Sequence, residues 1–133
     1  MIMSDRKYVL LVEDDQDIRE LIIEAFRLLN IDAETAVSGD DAIQKLKILP
    51  QKPALILLDL VMPKTDGLWF CEERKKYSEF MNIPIILLTA DSKAASKTAS
   101  INIDGILKKP IKIDDLLHAV QPYVEGNSIL SAV

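Results

Sequence analysis

Cysteine, glycine and proline are scarce in this sequence, and each shortage excludes a class of protein. A single cysteine, Cys71, cannot close a disulfide within the chain. Four glycines and six prolines in 133 residues exclude a collagen-like or low-complexity chain. The apolar runs, such as residues 54–58 and 83–88, fall far short of the ~20 residues that a membrane-spanning helix needs. Residues 1–6 are too short and polar for a signal peptide, so we expect a cytoplasmic protein outside any membrane.

Basic residues are also in the minority. Lysine and arginine number 16 against 21 acids, which gives a net charge of -5 and a pI near 4.9. Such a chain repels polyanions, so direct nucleic-acid binding is not expected. With 49% hydrophobic residues the length suits one globular domain. We expect that domain over residues 1–125, followed by a short tail, residues 126–133, without hydrophobic periodicity.

Unbroken apolar runs predict strands that are buried on both faces, as in a parallel sheet. They cover residues 8–12, 54–58, 83–88 and 106–107. A weaker alternating segment, residues 32–37, predicts one more strand nearer the edge of the sheet. The sequence therefore predicts a mainly parallel sheet of five strands.

Helical patterns separate these runs. Apolar residues at helical spacing predict a first helix that buries one stripe: Ile18, Leu21, Ile22, Ala25, Phe26 and Leu29. Ser38 and Asp41 resemble a capping pair that begins a second helix, which Pro50 ends. A third helix is expected from Gly67 to about Tyr77, and further helices over residues 92–100 and 113–124. Five β-α units with right-handed crossovers predict one doubly wound α/β domain.

Chemically versatile residues follow the ends of the predicted strands. Ligands of open α/β sheets bind outside the carboxyl ends of the strands, so these positions are the first candidates for a site. The residues concerned are Glu13, Asp14 and Asp15 after the first run, Asp59 after the third, Thr89 after the fourth, and Lys108 and Lys109 before Pro110. Carboxylates, a hydroxyl and an ammonium are thus expected at one edge of the sheet.

Carboxylates held close together repel one another unless a cation compensates them. With only oxygen ligands at hand, Mg²⁺ is expected, with Mn²⁺ as an alternative, in preference to Zn²⁺. In such a site Asp59 could attack phosphorus and form an aspartyl phosphate, while Lys109 neutralises charge on the transferred oxygens. Thr89 could donate a hydrogen bond to the product.

A plainer structural interpretation stays open for several of these residues. Asp14, Asp15 and Asp17 precede a predicted helix, where acids cap free N–H groups and meet the helix dipole favourably. Thr89 could simply end a strand or cap a helix. Lys109 could be a solvated surface lysine, although the following proline restricts its backbone to extended conformations.

In these motifs the sequence resembles the response-regulator receiver domains of two-component signalling. The most specific segment is residues 59–67, Asp-Leu-Val-Met-Pro-Lys-Thr-Asp-Gly, which resembles the phosphoacceptor strand and its loop. Val-Glu-Asp-Asp at 12–15, Leu-Thr-Ala at 88–90 and Lys-Pro at 109–110 occur in the family's order. The resemblance covers residue 7 to about residue 124, and implies the flavodoxin-like strand order 2-1-3-4-5.

The resemblance also implies a role for each site residue. Asp59 would accept a phosphoryl group from the phosphohistidine of a sensor kinase or phosphotransfer protein. Asp14 would bind Mg²⁺ directly, Glu13 through water, and Val61 through its backbone carbonyl. Lys109 would pair with the phosphoryl group, Thr89 would act as the switch residue, and the Lys109–Pro110 bond is expected to be cis.

The function implied is a signalling switch with intrinsic phosphotransfer and autodephosphorylation, and not an enzyme in the ordinary sense. Phosphorylation would change binding to a downstream protein, with a phosphorylation-dependent homodimer left open. No output domain is expected in this sequence. Ile106 stands where the family usually has an aromatic partner of the switch threonine, which leaves the output in question.

Three other functions compete with this one. A pseudo-receiver would bind partners without phosphorylation. A phosphohydrolase of the haloacid-dehalogenase type usually needs a second Asp two positions after the nucleophile, where this chain has Val61. A flavin-binding module would need a phosphate loop after the first strand, where acids stand instead. The pseudo-receiver is the principal alternative.

Overall fold

The sheet consists of five parallel strands in the order β2-β1-β3-β4-β5. The computed structural model describes residues 6–60 and 67–125. The strands are β1 (Tyr8–Val12), β2 (Asp32–Ala36), β3 (Leu55–Asp59), β4 (Ile85–Thr89) and β5 (Gly105–Lys108). The parallel sheet, the edge position of β2 and the strand order 2-1-3-4-5 are all confirmed.

Helices cover both faces of this sheet, as expected for a doubly wound domain. They are α1 (Gln16–Leu28), α2 (Gly39–Ile48), α3 (Gly67–Arg74), α4 (Ala94–Lys97) and α5 (Ile113–Val124). Side chains of α1 and α5 pack on one face of the sheet, and side chains of α2, α3 and α4 pack on the other. None of the helices described has the length and apolar character needed to cross a membrane.

Burial explains why the strand-forming runs have no polar alternation. In β3 and β4 every residue is buried, and in β1 only Tyr8 is partly exposed. Successive side chains point to opposite faces, so both helical layers contact apolar residues from the same strand. The parallel register pairs Val12 with Leu58 and Asp59 with Leu88, which brings the carboxyl ends of the central strands to one edge.

Side-chain caps start the first two helices where the sequence indicates. The Asp15 carboxylate accepts a hydrogen bond from Ile18 N at 3.1 Å and caps α1. Ser38 Oγ accepts one from Asp41 N at 3.0 Å, and Asp41 in turn accepts one from Val37 N, so the predicted capping pair is confirmed. These bonds satisfy N–H groups that have no partner inside a helix.

Helix boundaries and one helix face differ from prediction. Two residues of the predicted stripe, Leu21 and Leu29, are 52% and 36% exposed rather than buried. Leu21 lies about 100° around α1 from the buried Ile22, and Leu29 follows the last residue of the helix. α3 ends at Arg74, three residues early, since the next turn changes to tighter bonds such as Tyr77 N to Arg74 O. α4 spans only four residues, since its Ala/Ser/Lys-rich segment offers few apolar anchors.

A buried arginine connects the end of α3 to two loops. Arg74 is only 2% exposed, and its guanidinium donates hydrogen bonds to four backbone carbonyls. These are the carbonyls of Phe80, Met81, Ile83 and Asn102, at 2.8 to 3.2 Å. Burial lowers the pKa of Arg74, although an arginine stays charged at neutral pH. The side chain therefore links α3 to the segments that lead into β4 and β5.

Replacing Arg74 with methionine should lower the free energy of unfolding by roughly 2 to 4 kcal/mol, because four carbonyls would lose their donor. Urea denaturation measures the loss. Lys75→Met is the matched control, since the Lys75 side chain makes an exposed pair with Glu72 at 3.8 Å. That control should cost about 0.5 kcal/mol or less. Equal losses in the two variants would contradict the role given to Arg74.

Candidate functional site

The carboxyl edge of the sheet collects the residues that the sequence singles out. Glu13 and Asp14 directly follow β1, Asp59 and Thr89 are the last residues of β3 and β4, and Lys109 directly follows β5. Because the strands are parallel and adjacent, their ends lie side by side. The expected convergence of acids and a lysine at this edge is confirmed for these described residues.

Lys109 lies between two buried carboxylates. Its Nζ is 3.0 Å from Glu13 Oε1 and 3.4 Å from Asp59 Oδ2. Glu13 is fully buried, Asp59 is 4% exposed, and the Lys109 side chain is 18% exposed. Lys109 is therefore not a solvated surface lysine. One ammonium faces two carboxylates in a largely water-excluded position.

The electrostatic consequence appears in the titration of both partners. Burial and the nearby charge of Asp59 raise the pKa of Glu13 from 4.5 to about 7, although Lys109 acts in the opposite direction. For Lys109, burial acts to lower the pKa, but the hydrogen bond to Glu13 and the charge of Asp59 outweigh it, so the pKa is raised. The site therefore carries more negative charge than its lysine neutralises.

A third carboxylate completes an all-oxygen cluster. Glu13, Asp14 and Asp59 each present an oxygen, and these atoms lie within 4.8 Å of one another. Asp14 is exposed, so the cluster opens to solvent on its side. Three carboxylates with a single ammonium fit a hard divalent cation such as Mg²⁺, which takes oxygen ligands and keeps several waters. Burial contributes most to the raised pKa of Glu13, and the charge of Asp59, which such a cation would compensate, adds to it.

The turn that carries the acids is tightly hydrogen-bonded. Asp15 N donates to Glu13 Oε2 at 3.2 Å, which helps to orient the buried carboxylate. Asp15 itself caps α1, so its structural interpretation is confirmed. The structure also reveals a contact that the sequence analysis does not predict. Arg19 donates hydrogen bonds to the backbone carbonyls of Glu13 and Asp14, and its place one turn after these residues is the only sequence signal for it.

Thr89 ends β4 and lies on the opposite face of the sheet from Asp59, which alternates with Leu55 and Leu57 of β3. By strand alternation Thr89 belongs with Ile85 and Leu87, which pack toward α2 and α3. Its hydroxyl accepts a hydrogen bond from Asp91 N at 3.0 Å, and its carbonyl accepts one from Lys109 N at 2.9 Å. The residue is 2% exposed. The bond from Asp91 therefore ties a buried hydroxyl to the loop that leads to α4.

Two expectations from the resemblance concern the backbone near the site. The Lys109–Pro110 bond is cis, as expected. Val61, the expected carbonyl ligand, lies outside the described residues. Ile106 is partly buried against the core, on the α2 and α3 side of the sheet. Its effect on output stays a prediction.

Gly67 begins α3 directly against the end of β3. Its N–H donates to Leu60 O at 2.8 Å. A Cβ at this position would stand 2.8 Å from both Asp59 O and Leu60 Cα, which are backbone atoms that cannot rotate away. Only glycine permits this approach, so Gly67 determines where the end of β3, and with it Asp59, is held.

A doubly wound sheet with buried acids and a lysine at its carboxyl edge defines a class of open α/β proteins whose ligands bind at that edge. Within that class, the profile of the response regulator receiver domain matches residues 9–121. The chain belongs to this family of receiver domains of two-component signalling.

Individual relatives agree with this assignment. Protein PilG of Pseudomonas aeruginosa is 30% identical over 132 residues, covering 98% of this chain and 96% of PilG. Several transcriptional regulators also match, but the chain spans only 45–48% of their length.

Solved structures share the fold. The chemotaxis protein CheY4 of Vibrio cholerae has a TM-score of 0.80 at 25% identity, over 89% of this chain and 98% of that one. The receiver domain of sensor histidine kinase PA1611 from Pseudomonas aeruginosa has a TM-score of 0.78 at 25% identity, over 90% and 98% of the two chains. That structure holds a magnesium ion in its active-site cleft.

The raised pKa of Glu13 predicts a pH-dependent cost to stability. Between its ordinary pKa of 4.5 and its folded value of about 7, the folded chain keeps a proton that the unfolded chain has released. Stability from this group therefore falls as pH rises through that window. Without divalent metal, the unfolding free energy of Glu13→Gln should rise relative to wild type by about 1 to 3 kcal/mol across it.

Urea denaturation from pH 4.5 to 8 in the presence of a chelator measures this difference. Glu20→Gln, at an exposed position on α1, is the control, and its difference from wild type should stay flat. A Glu13→Gln difference that is equally flat would contradict the titration assigned to Glu13.

Gly67→Ala should displace the end of β3, lower the unfolding free energy by about 1 to 3 kcal/mol and weaken Mg²⁺ binding. Gly105→Ala is the control, because its new Cβ would meet only Ile86 Cγ1 at an ordinary 3.7 Å. Urea denaturation and calorimetric Mg²⁺ titration measure both effects. Similar behaviour of the two variants would show that the close approach of Gly67 has no such role.

Proposed function

We propose that this chain is a phosphoacceptor switch that takes a phosphoryl group from a phosphohistidine onto Asp59. The observation that carries the proposal is the position of the Asp59 carboxylate. It is buried at the carboxyl edge of the sheet, 3.4 Å from Lys109 Nζ and within a cluster of three carboxylate oxygens. Membership of the receiver family supports the same conclusion.

The proposed reaction is a displacement at phosphorus. A carboxylate oxygen of Asp59 attacks the phosphorus atom, a new O–P bond forms, and the N–P bond to the donor imidazole breaks. The electron pair of that bond goes to the imidazole nitrogen. Lys109, already beside Asp59 Oδ2, supplies positive charge to the transferred oxygens, and burial strengthens this attraction.

Divalent metal is part of the proposed site. Asp14, Asp59 and Glu13 would hold Mg²⁺, with the Val61 carbonyl expected as a further ligand, and Mn²⁺ could take its place. The ion would neutralise charge on the phosphoryl oxygens and on the acids. Asp15 N and Lys109 hold the Glu13 carboxylate in position within this site.

The product would act by changing which proteins the domain binds. A phosphoryl group adds about -1.5 to -2 charge and shifts the balance between two conformations. The donor is proposed to be a sensor histidine kinase or a histidine phosphotransfer protein in the cytoplasm. A downstream protein, or a second phosphorylated copy of this chain, would recognise the altered surface. Residues 1–125 are proposed as the receiver domain, and residues 126–133 as a tail.

Intact-mass spectrometry after incubation with acetyl phosphate tests the proposal. We expect one phosphoryl adduct on the wild type in Mg²⁺, no adduct with excess chelator and no adduct on Asp59→Asn. Asp17→Asn, which removes an exposed acid from the first turn of α1, should still be modified. This variant is the control for the loss of one acidic charge outside the cluster.

An adduct that persists in Asp59→Asn would overturn the assignment of the acceptor. The opposite outcome is a wild-type sample that binds Mg²⁺ but takes up no phosphoryl group from acetyl phosphate or from a phosphorylated histidine kinase. That result would favour a phosphorylation-independent pseudo-receiver.

A further inference from the structure

Arg19 connects the second turn of α1 back to the acidic turn. Its Nη1 donates to the backbone carbonyl of Glu13 at 2.8 Å and to that of Asp14 at 3.2 Å. Arg19 is partly buried. Its backbone N–H donates to Asp15 O, the hydrogen bond that is normal within a helix. One guanidinium thus holds two consecutive peptide groups that precede the helix.

The two carbonyls belong to the residues that present two of the three clustered carboxylates. Glu13 is fixed from other directions as well, because its N–H donates to Ala36 O and its side chain contacts Asp15 N and Lys109. Asp14 is different, since its side chain is exposed. Its carbonyl accepts the 3.2 Å hydrogen bond from Arg19, which ties Asp14 to α1.

Charge and position make opposite demands at this point. Arg19 places a positive charge behind an acidic cluster, and by Coulomb's law alone its removal would strengthen the binding of a cation. Arg19 is also a hydrogen-bond donor to the turn that bears the metal ligands. If this bond positions the ligands, removing Arg19 would weaken the binding of a cation. Groups that orient metal ligands typically account for about 10-fold to 100-fold in metal affinity.

We propose that Arg19 is a positioning residue of the acidic turn, which holds Asp14 in place for a divalent cation at the carboxyl edge of the sheet. The inference deepens the proposed function, on which its metal site rests. It assigns the guanidinium no contact with the phosphoryl group. Its effect on phosphorylation runs through the orientation of Asp14.

Calorimetric titration with Mg²⁺ alone tests this role. Arg19→Met keeps the aliphatic stem but loses both the charge and the donors. We expect its Mg²⁺ affinity to fall about 10-fold or more. Arg19→Lys keeps the charge with a shorter reach, and should bind with intermediate affinity. Arg27→Met is the matched control, because Arg27 lies further along α1, pairs with Glu24, and should leave the affinity within about twofold.

Urea denaturation of each variant shows that the comparison is made between folded proteins, and Arg19→Lys provides the test if Arg19→Met does not fold. Unchanged or tighter Mg²⁺ binding by the folded Arg19 variants would overturn the proposal, because it is the result expected from charge alone.

Phosphorylation kinetics give a second and separate readout. In acetyl phosphate, Arg19→Met should need a higher Mg²⁺ concentration for half-maximal rate, and should recover a rate near wild type at saturating Mg²⁺. A maximal rate that stays depressed at saturation would contradict a role confined to positioning. If the wild type takes up no phosphoryl group, the proposed function fails, while the calorimetric comparison still decides the role of Arg19.

Discussion

The contact on which this site depends is one ammonium held between two buried carboxylates. Lys109 Nζ lies 3.0 Å from Glu13 and 3.4 Å from Asp59, and Asp14 adds a third acid to the same small volume. A lysine cannot neutralise three carboxylates, and two of them, Glu13 and Asp59, are buried, so the folded chain keeps an excess of negative charge that water screens only on the side of Asp14. The pKa of Glu13, raised to about 7, shows the cost of that arrangement. The same negative charge that would attract a divalent cation therefore lowers the stability of the domain without the cation.

The rest of the fold holds this repulsive cluster together. Parallel strands with both faces buried make a rigid sheet, and their shared direction brings the acids and the lysine to one edge. Gly67 lets α3 begin against the backbone of Asp59, and Arg74 ties the far end of that helix to its neighbours. Interactions away from the cluster thus supply the stability that the cluster itself reduces, as is common where function requires strain.

Sequence reasoning predicted the parts of this structure that depend on simple patterns. Continuous apolar runs predicted four of the strands, a weak alternating segment predicted β2, and the rule that ligands bind at the carboxyl edge identified Asp59 and Lys109. The strand order came from family resemblance, because burial patterns do not specify which strands are neighbours. Arg19 and Arg74 were missed, since nothing in the sequence distinguishes an arginine that bonds to backbone carbonyls from one that faces solvent. Their partners are set by loop geometry, which has no periodic signature.

The most direct test of the central claim is the unfolding free energy of wild type and Asp59→Asn at pH 8, with and without Mg²⁺. Removing one negative charge should make the metal-free variant more stable than wild type by on the order of 1 kcal/mol or more. Saturating Mg²⁺ should stabilise the wild type by mass action and narrow or reverse that difference. A metal-free Asp59→Asn that is less stable than wild type, together with no effect of Mg²⁺ on the wild type, would contradict the account.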